Sequence, residues 1–387
     1  MKDDMARVWL EECPLNNDLI YLNSGTLGPP LKSVSHTVDF LRNEWIREGP
    51  GSAAGAKGAD SYFEMMKWTD RARQKVAQWM KTSAASVAIT GNATDGINLA
   101  LTSISWKAGD HIVTTDEEHP ALLYPLRRLE DRYGVIVDVI PFPQSDPDQD
   151  FFDALTDVLK PSTRMVAVSS VSHRSGVTLD LEEMITRLGS YEGWVLVDGS
   201  HAAGTQPILV VPGVDFYVFP CHKWLFGPIG TGILWVSEKA LAETDGLLSG
   251  APMMRENGER YSDRQGAWRY EFGTRDWALA AGIVAAINFR QQWTETEIAH
   301  YYLELRTAYL RGYQQSGCSA TVRGSGPILQ IVVPESSNIS RALWETYQII
   351  VKPDIGSIRV SLPPWLTPTI AEDIGFIMGK EIALWSC

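Results

Sequence analysis

DFYVFPCHKWLFGPIGTGILWV, residues 215–236, is the stretch on which the reading of this chain turns. It opens on an apolar run of the kind buried inside a sheet and closes on a second one at 232–236. Between them lies a turn rich in Gly and Pro, and Lys223 stands at its start. A lysine delivered to a strand end can be partly desolvated, which lowers its pKa and frees the lone pair to attack a carbonyl. A lone loop lysine is ordinarily just a solvated charge, so the reading depends on the residues around it.

Outward from this stretch, short β-branched runs recur at 86–90, 111–115, 135–140, 165–171, 194–198, 215–219 and 232–236. Most are separated by segments of helical-crossover length. The pattern predicts an α/β fold with a mainly parallel seven-stranded sheet and helices on both faces. Ligands of such sheets gather at the carboxyl ends of the strands, so the polar residues that follow each run are the candidates.

The run at 194–198 ends in Asp198, followed by Gly199, Ser200 and His201, and lies 25 residues before Lys223. A strand-end carboxylate either caps the next helix or shares the lysine's pocket. If a pyridine ring lay between the two groups, the pair would make a pyridoxal-phosphate electron sink. Residues 91–96, GNATDG, lead from a strand into a helix, where backbone N–H groups and the Thr94 hydroxyl suit an anion. His119, beyond the run at 111–115, either stacks on a flat ring or caps a helix. Ser172, His173 and Arg174 follow the run at 165–171 at the same sheet edge. No carboxylate spacing joins His173 and His201 into a metal site, and a metal is not expected.

Residues 21–30, YLNSGTLGPP, break a short strand into a loop suited to close ligand approach or to simple connection. The polar stretch 246–269, with Arg255, Arg260, Arg264 and Arg269, reads as an active-site flap or a solvated linker. The expected division is a large domain over 21–270 and a smaller C-terminal α+β domain over 271–387. An N-terminal arm, 1–20, packs with the small domain.

Composition narrows the function. A net charge of −13 over 387 residues disfavours nucleic acid and anionic membranes as partners. No run of 18 apolar residues or leader-like N-terminus is present, so a cytoplasmic enzyme is expected. Cys13, Cys221, Cys318 and Cys387 are scattered, which indicates neither zinc nor a disulfide framework.

In combination, Ala93-Thr94, Glu118-His119, Asp198 to His201, Cys221-His222-Lys223-Trp224 and Glu271 to Thr274 resemble the fold-type I pyridoxal-phosphate enzymes of the class V aminotransferase family. That family includes cysteine desulfurases, cystine C–S lyases and isopenicillin-N epimerase-like proteins, and residues 22–25 and 221–228 resemble the last branch most. The resemblance runs from Tyr21 to about Arg359. It implies that Lys223 carries the cofactor as an imine, that Asp198 binds the pyridine nitrogen and that His119 stacks on the ring. It implies further that His201 lies near the ring hydroxyl and that Ala93, Thr94 and His222 hold the phosphate. Thr274 would reach the phosphate of a partner subunit, so a homodimer with shared sites is implied. Arg359 would grip the substrate α-carboxylate, with Asn23 and Gly25 beside it. His173 stands where desulfurases often have asparagine, and Pro220 where they often have a hydroxyl.

A desulfurase also needs a nucleophilic cysteine shortly before the carboxylate arginine, and no cysteine lies between Cys318 and Arg359. The expectation is therefore a β-lyase that cleaves cystine or an S-substituted cysteine to pyruvate, ammonia and a thiol or persulfide. Arg255, Arg264 and Trp268 would suit a bulky polar conjugate. An epimerase, aminotransferase or decarboxylating variant is the alternative, and a non-catalytic or sulfur-transfer scaffold the remaining one.

Overall fold

The computed structural model describes residues 2–16, 18–48, 61–145, 148–207, 210–245 and 266–385. A short strand β1 (Ile20–Tyr21) precedes the strands of the main sheet. These are β2 (Val87–Thr90), β3 (His111–Thr115), β4 (Ile136–Ile140), β5 (Thr163–Ser169), β6 (Trp194–Asp198), β7 (Phe216–Pro220) and β8 (Gly232–Val236). They form one seven-stranded sheet in the order β2-β8-β7-β6-β5-β3-β4. Strand β8 runs antiparallel to β2 and β7. The other neighbours are parallel.

Alternate residues of each strand feed two separate cores. Val195 and Val197 pack with Phe151, Leu155 and Met184 on one face. Trp194 and Leu196 pack with Ile97, Leu122 and Leu126 on the other. Burial on both faces is why the inner strands read as near-continuous apolar runs, whereas the edge strand β4 leaves Ile136 and Val139 exposed. The run expected to reach residue 171 stops at Ser169. Beyond it the chain bends, with Ser172 N–H donating to Val177 O at 3.0 Å, and Val171 makes an isolated bridge to Thr178.

The remaining strands are β9 (Val322–Arg323), β10 (Ile328–Val332), β11 (Ile349–Ile350), β12 (Lys352–Asp354) and β13 (Ser357–Ser361). A second, antiparallel sheet has the order β12-β13-β10-β9, and β11 pairs with β1. Helix Lys2–Glu12 sends Met5, Ala6 and Trp9 into the core that also holds Leu305, Tyr309 and Ile328. Helix Trp277–Arg290 serves both bodies: Ala280, Ile283 and Ile287 pack with the large sheet, and Ala286 with the small one. We propose that the domain boundary runs along this helix.

Helices Glu295–Gln315 and Pro368–Leu384 cross so closely that a Cβ on Gly312 would lie 1.9 Å from Glu372 O. A Cβ on Gly375 would lie 2.0 Å from Tyr309 O. Both obstacles are backbone, so neither can be moved aside as a flexible side chain could. Gly375→Ala is expected to cost about 1–3 kcal/mol, read as a lower urea midpoint.

Candidate active site

Strand β7 delivers Lys223 into a loop that is fastened along its backbone. Gly28 N–H donates to His222 O at 2.7 Å, Leu31 N–H to Phe226 O at 3.1 Å and Gly227 N–H to Cys221 O at 2.9 Å. The buried Arg290 guanidinium donates to Trp224 O at 3.2 Å and Gly204 O at 3.1 Å, and pairs with Glu295 at 2.7 Å. A Cβ on Gly28 would sit 2.1 Å from Lys223 O, so the 21–30 loop meets the lysine loop where a side chain has no room. Phe226 takes a left-handed φ of 51°, held by its packing on Trp9 and Trp365.

Four imidazoles, His119, His173, His201 and His222, line one cavity with the Lys223 amine, and hydrogen bonds fix the first three. His201 Nδ1 accepts from Trp224 Nε1–H at 3.3 Å, and its Nε2 lies 3.2 Å from Lys223 Nζ. Indole N–H can only donate, so neutral His201 carries its proton on Nε2 and points it at the amine lone pair. His119 caps helix Pro120–Tyr133 through Nδ1, which accepts from Ala121 N–H at 3.1 Å. Its ring also faces the cavity, edge-on to His173 at 5.0 Å, so the cap and the ring wall are one residue. His173 donates from Nδ1–H to Glu117 O at 3.0 Å.

Burial, followed by nearby positive charge, sets the protonation of this group. Lys223 is lowered to about 8, chiefly by burial, with Asp198 opposing the shift. Burial and Lys223 take His119 down to about 4, and burial and His119 take His173 to about 2. His201 falls well below its ordinary range for the same first reason. All three rings are neutral near pH 7. Asp198, buried at the end of β6, accepts Ser200 N–H on Oδ1 at 2.9 Å.

Arg359 comes from β13 in the second sheet. It is 2% exposed and donates to His173 O at 2.9 Å, Thr26 Oγ1 at 2.5 Å and Asn23 Oδ1 at 3.4 Å. Its Nε is buried without a hydrogen-bond partner. A Cβ on Gly25 would lie 2.8 Å from Ser361 Oγ and 3.5 Å from Arg359 Cζ.

One cavity of about 200 Å³ is lined by Gly25, Ala93, Thr94, His119, His173, Asp198, His201, His222, Lys223 and Arg359 together. Asn23 stands a step behind, on Arg359. Thr274 is exposed and not among the lining residues. Arg255, Arg260 and Arg264 lie outside the described residues. Trp268, expected to face substrate, is not among the lining residues; Arg73, which pairs with Glu271 at 2.8 Å, stands 5.9 Å from its ring centroid. Arg269 is likewise turned inward, donating to Leu241 O at 2.8 Å.

Thr26, Ser169, Ser200 and Lys352 also line the cavity; the first three lie inside stretches singled out in the sequence without a role of their own, and Lys352 lies in none. Serine and threonine carry no signal without a partner, and Lys352 enters through pairing with β13. Glu118 was noted only as part of a motif. It is buried, accepts from Thr115 Oγ1 at 2.6 Å and Ser169 N–H at 2.9 Å, and burial raises it to about 7.

Residues 51–324 match the family model for the class-V aminotransferases. A cysteine desulfurase of Klebsiella pneumoniae is 31% identical over 73% of this chain and 70% of its own length. One from Escherichia coli O8 is 34% identical over the same shares. The chain belongs to the class-V aminotransferase family. Among solved structures, a cystine C–S lyase in complex with its reaction product cysteine persulfide is 25% identical. It superposes with a TM-score of 0.82 over 94% of this chain and 97% of that one. The apo structure of a cysteine desulfurase from Thermococcus onnurineus, 20% identical, shares the fold with a TM-score of 0.81.

A class-V enzyme works with pyridoxal phosphate, and the cavity fits that cofactor. His222 Nδ1 is buried without a partner beside the lysine. The first-turn N–H groups of Ala93 and Thr94 have no acceptor within their helix and open on the same cavity. An amine, a buried carboxylate and a neutral imidazole wall complete a donor set that matches an aldehyde, a ring nitrogen and a flat ring. Among the described residues no cluster of metal-ligating side chains occurs, and no helix is long and apolar enough to cross a membrane.

Because the Lys223 amine is lowered to about 8 from an ordinary 10.5, its neutral form dominates above pH 8. In protein stripped of cofactor, the rate of imine formation with a small aldehyde should rise with pH and level off just above 8. A rise that continued toward pH 10 would contradict the burial of this amine.

Proposed function

We propose that this class-V enzyme is a β-lyase that breaks the Cβ–S bond of cystine or an S-substituted cysteine. With one water consumed, the products are pyruvate, ammonia and a thiol or, from cystine, a persulfide. The observation that carries this reading is the place of the cysteines. Cys13, Cys221 and Cys318, those among the described residues, are free thiols, and none lines the cavity. Burial pushes the Cys221 thiol up to about 12 and raises that of Cys13 as well. Thiols held protonated are poor nucleophiles toward sulfur, and Cys318 stands off the cavity, which supports departure of the sulfur with its substituent. Relatives named as cysteine desulfurases and a neighbour named as a cystine C–S lyase support C–S cleavage as the shared chemistry.

The bound cofactor supplies an electron sink for a carbanion at the substrate's Cα. The chain's residues do the rest. Arg359, lowered to about 10 by burial yet still charged, offers a guanidinium with an unpartnered Nε to the α-carboxylate. Its donation to His173 O and Thr26 Oγ1 fixes the plane in which that carboxylate sits. The Lys223 amine, largely unprotonated above pH 8, is the base that removes the Cα proton. His201 steers it by presenting Nε2–H to the lone pair. Asp198 provides the buried negative charge that keeps a ring nitrogen protonated, and neutral His119 forms the wall against the ring. Thr274, exposed on its own chain, is the residue that a second copy would lend to the phosphate in a shared-site homodimer.

The test is to supply cystine and S-alkyl cysteines and to assay pyruvate. Pyruvate release, lost in Lys223→Ala together with the visible absorbance of the lysine-bound cofactor, is the expected result. Arg359→Lys should raise KM by about tenfold to a hundredfold, since an ammonium cannot reproduce the fork. Cys318→Ser and Cys387→Ser should leave turnover unchanged. Alanine plus sulfane sulfur in place of pyruvate would make the enzyme a desulfurase. Racemised or keto-acid products without sulfur loss would make it an epimerase or aminotransferase.

A further inference from the structure

The four-stranded sheet lines up four polar residues across one face. Arg323 is opposite Gln330, Gln330 is opposite Arg359, and Arg359 is opposite Lys352. Directly opposed residues project to the same side of a sheet, so Lys352 and Arg359 present two cations together. Both line the cavity, where Asp198 is the one acidic lining residue against Lys223, Lys352 and Arg359 among the described residues. Like charges in this register destabilise a sheet unless something offsets them. Farther along the row, Arg323 is offset by Glu117 at 3.2 Å.

The two cavity cations differ in depth. Arg359 is 2% exposed on an inner strand. Lys352 is on the edge strand, with its side chain 30% exposed and its Nζ 3.2 Å from Asp354 Oδ1, whose side chain is 28% exposed. A substrate whose α-carboxylate reached Arg359 would therefore extend its sulfur substituent outward past Lys352. Asp354 holds the ammonium without closing it off from the cavity, which Lys352 still lines.

We propose that Lys352 is a specificity residue for the far end of the substrate, receiving a carboxylate carried on the sulfur substituent. This rests on the β-lyase reading of the site. The substrate class becomes cysteine conjugates with an acidic tail. Cystine belongs to it, and Asp354 beside Lys352 then meets the ammonium of its second amino-acid head. Position at the mouth makes the effect one of binding and selectivity rather than of the chemical step.

Three conjugates of similar size separate the possibilities: S-carboxymethyl-, S-propyl- and S-(2-aminoethyl)-cysteine, assayed on the holoenzyme by pyruvate release. The wild-type protein should favour the acidic conjugate in kcat/KM, and added salt should weaken that preference because a rim charge is screened. Lys352→Gln should lower the ratio of acidic to neutral conjugate by roughly tenfold, through KM with little change in kcat. Lys352→Arg should keep the preference, and Lys352→Glu should turn it toward the aminoethyl conjugate. An unchanged ratio in Lys352→Gln, or an equal loss on all three conjugates, would overturn the proposal while leaving the β-lyase reading intact. Absence of pyruvate from every conjugate and from cystine would instead remove the reading beneath it.

Discussion

The backbone clasp on residues 221–227 is the constraint on which the site depends. A lysine works at a strand end only if its amine returns to one place, and its side chain alone has too many rotamers to ensure that. Here the restraint is applied to the main chain. Carbonyls of His222 and Phe226 are taken by the N–H groups of Gly28 and Leu31, that of Trp224 by the buried guanidinium of Arg290, and that of Cys221 by Gly227 N–H across the loop itself. The strained φ of Phe226 persists because its ring is fully buried among aromatic neighbours. The N-terminal helix thus acts on the lysine at second hand, through Trp9.

Electrostatics follow from where the clasp puts the amine. Burial holds each imidazole neutral, and the cations of the cavity push in the same direction. His119, His173 and His201 are accordingly fixed in tautomers by single hydrogen bonds: to a backbone N–H, a carbonyl and an indole. Neutral rings can wall a cofactor and direct a proton without adding to the positive charge already present in Lys223, Lys352 and Arg359. That charge suits a ligand with a phosphate and a carboxylate, and Lys352, paired with Asp354, stands at its exposed edge.

Family membership alone does not separate lyase from desulfurase, because both need the same amine, carboxylate and guanidinium. The difference is one thiol within reach of the leaving sulfur. Cys221 is next but one to Lys223 in the chain, yet the turn buries its sulfur on the far side among Phe219, Leu225 and Ile233, where its thiol stays protonated. Proximity in sequence is here no guide to chemical access.

The sequence by itself determined the α/β architecture, since strands buried on both faces must be written in consecutive apolar residues, and the seven runs stand within a few residues of where they were read. It also pointed to the lysine, the strand-end aspartate and the helix that follows Gly91 and Asn92, because each ends or follows a strand at the sheet edge where the cavity lies. What it could not determine was set by side chains that meet across long separations. Lys352 enters the cavity through register with Arg359, and Glu118 is buried by Thr115 and Ser169. Trp268 is not among the cavity-lining residues, and the Arg73 beside it is paired with Glu271, 198 residues away. Local pattern encodes which face a residue takes, but the partner it finds there depends on packing between segments, and only the tertiary structure decides that.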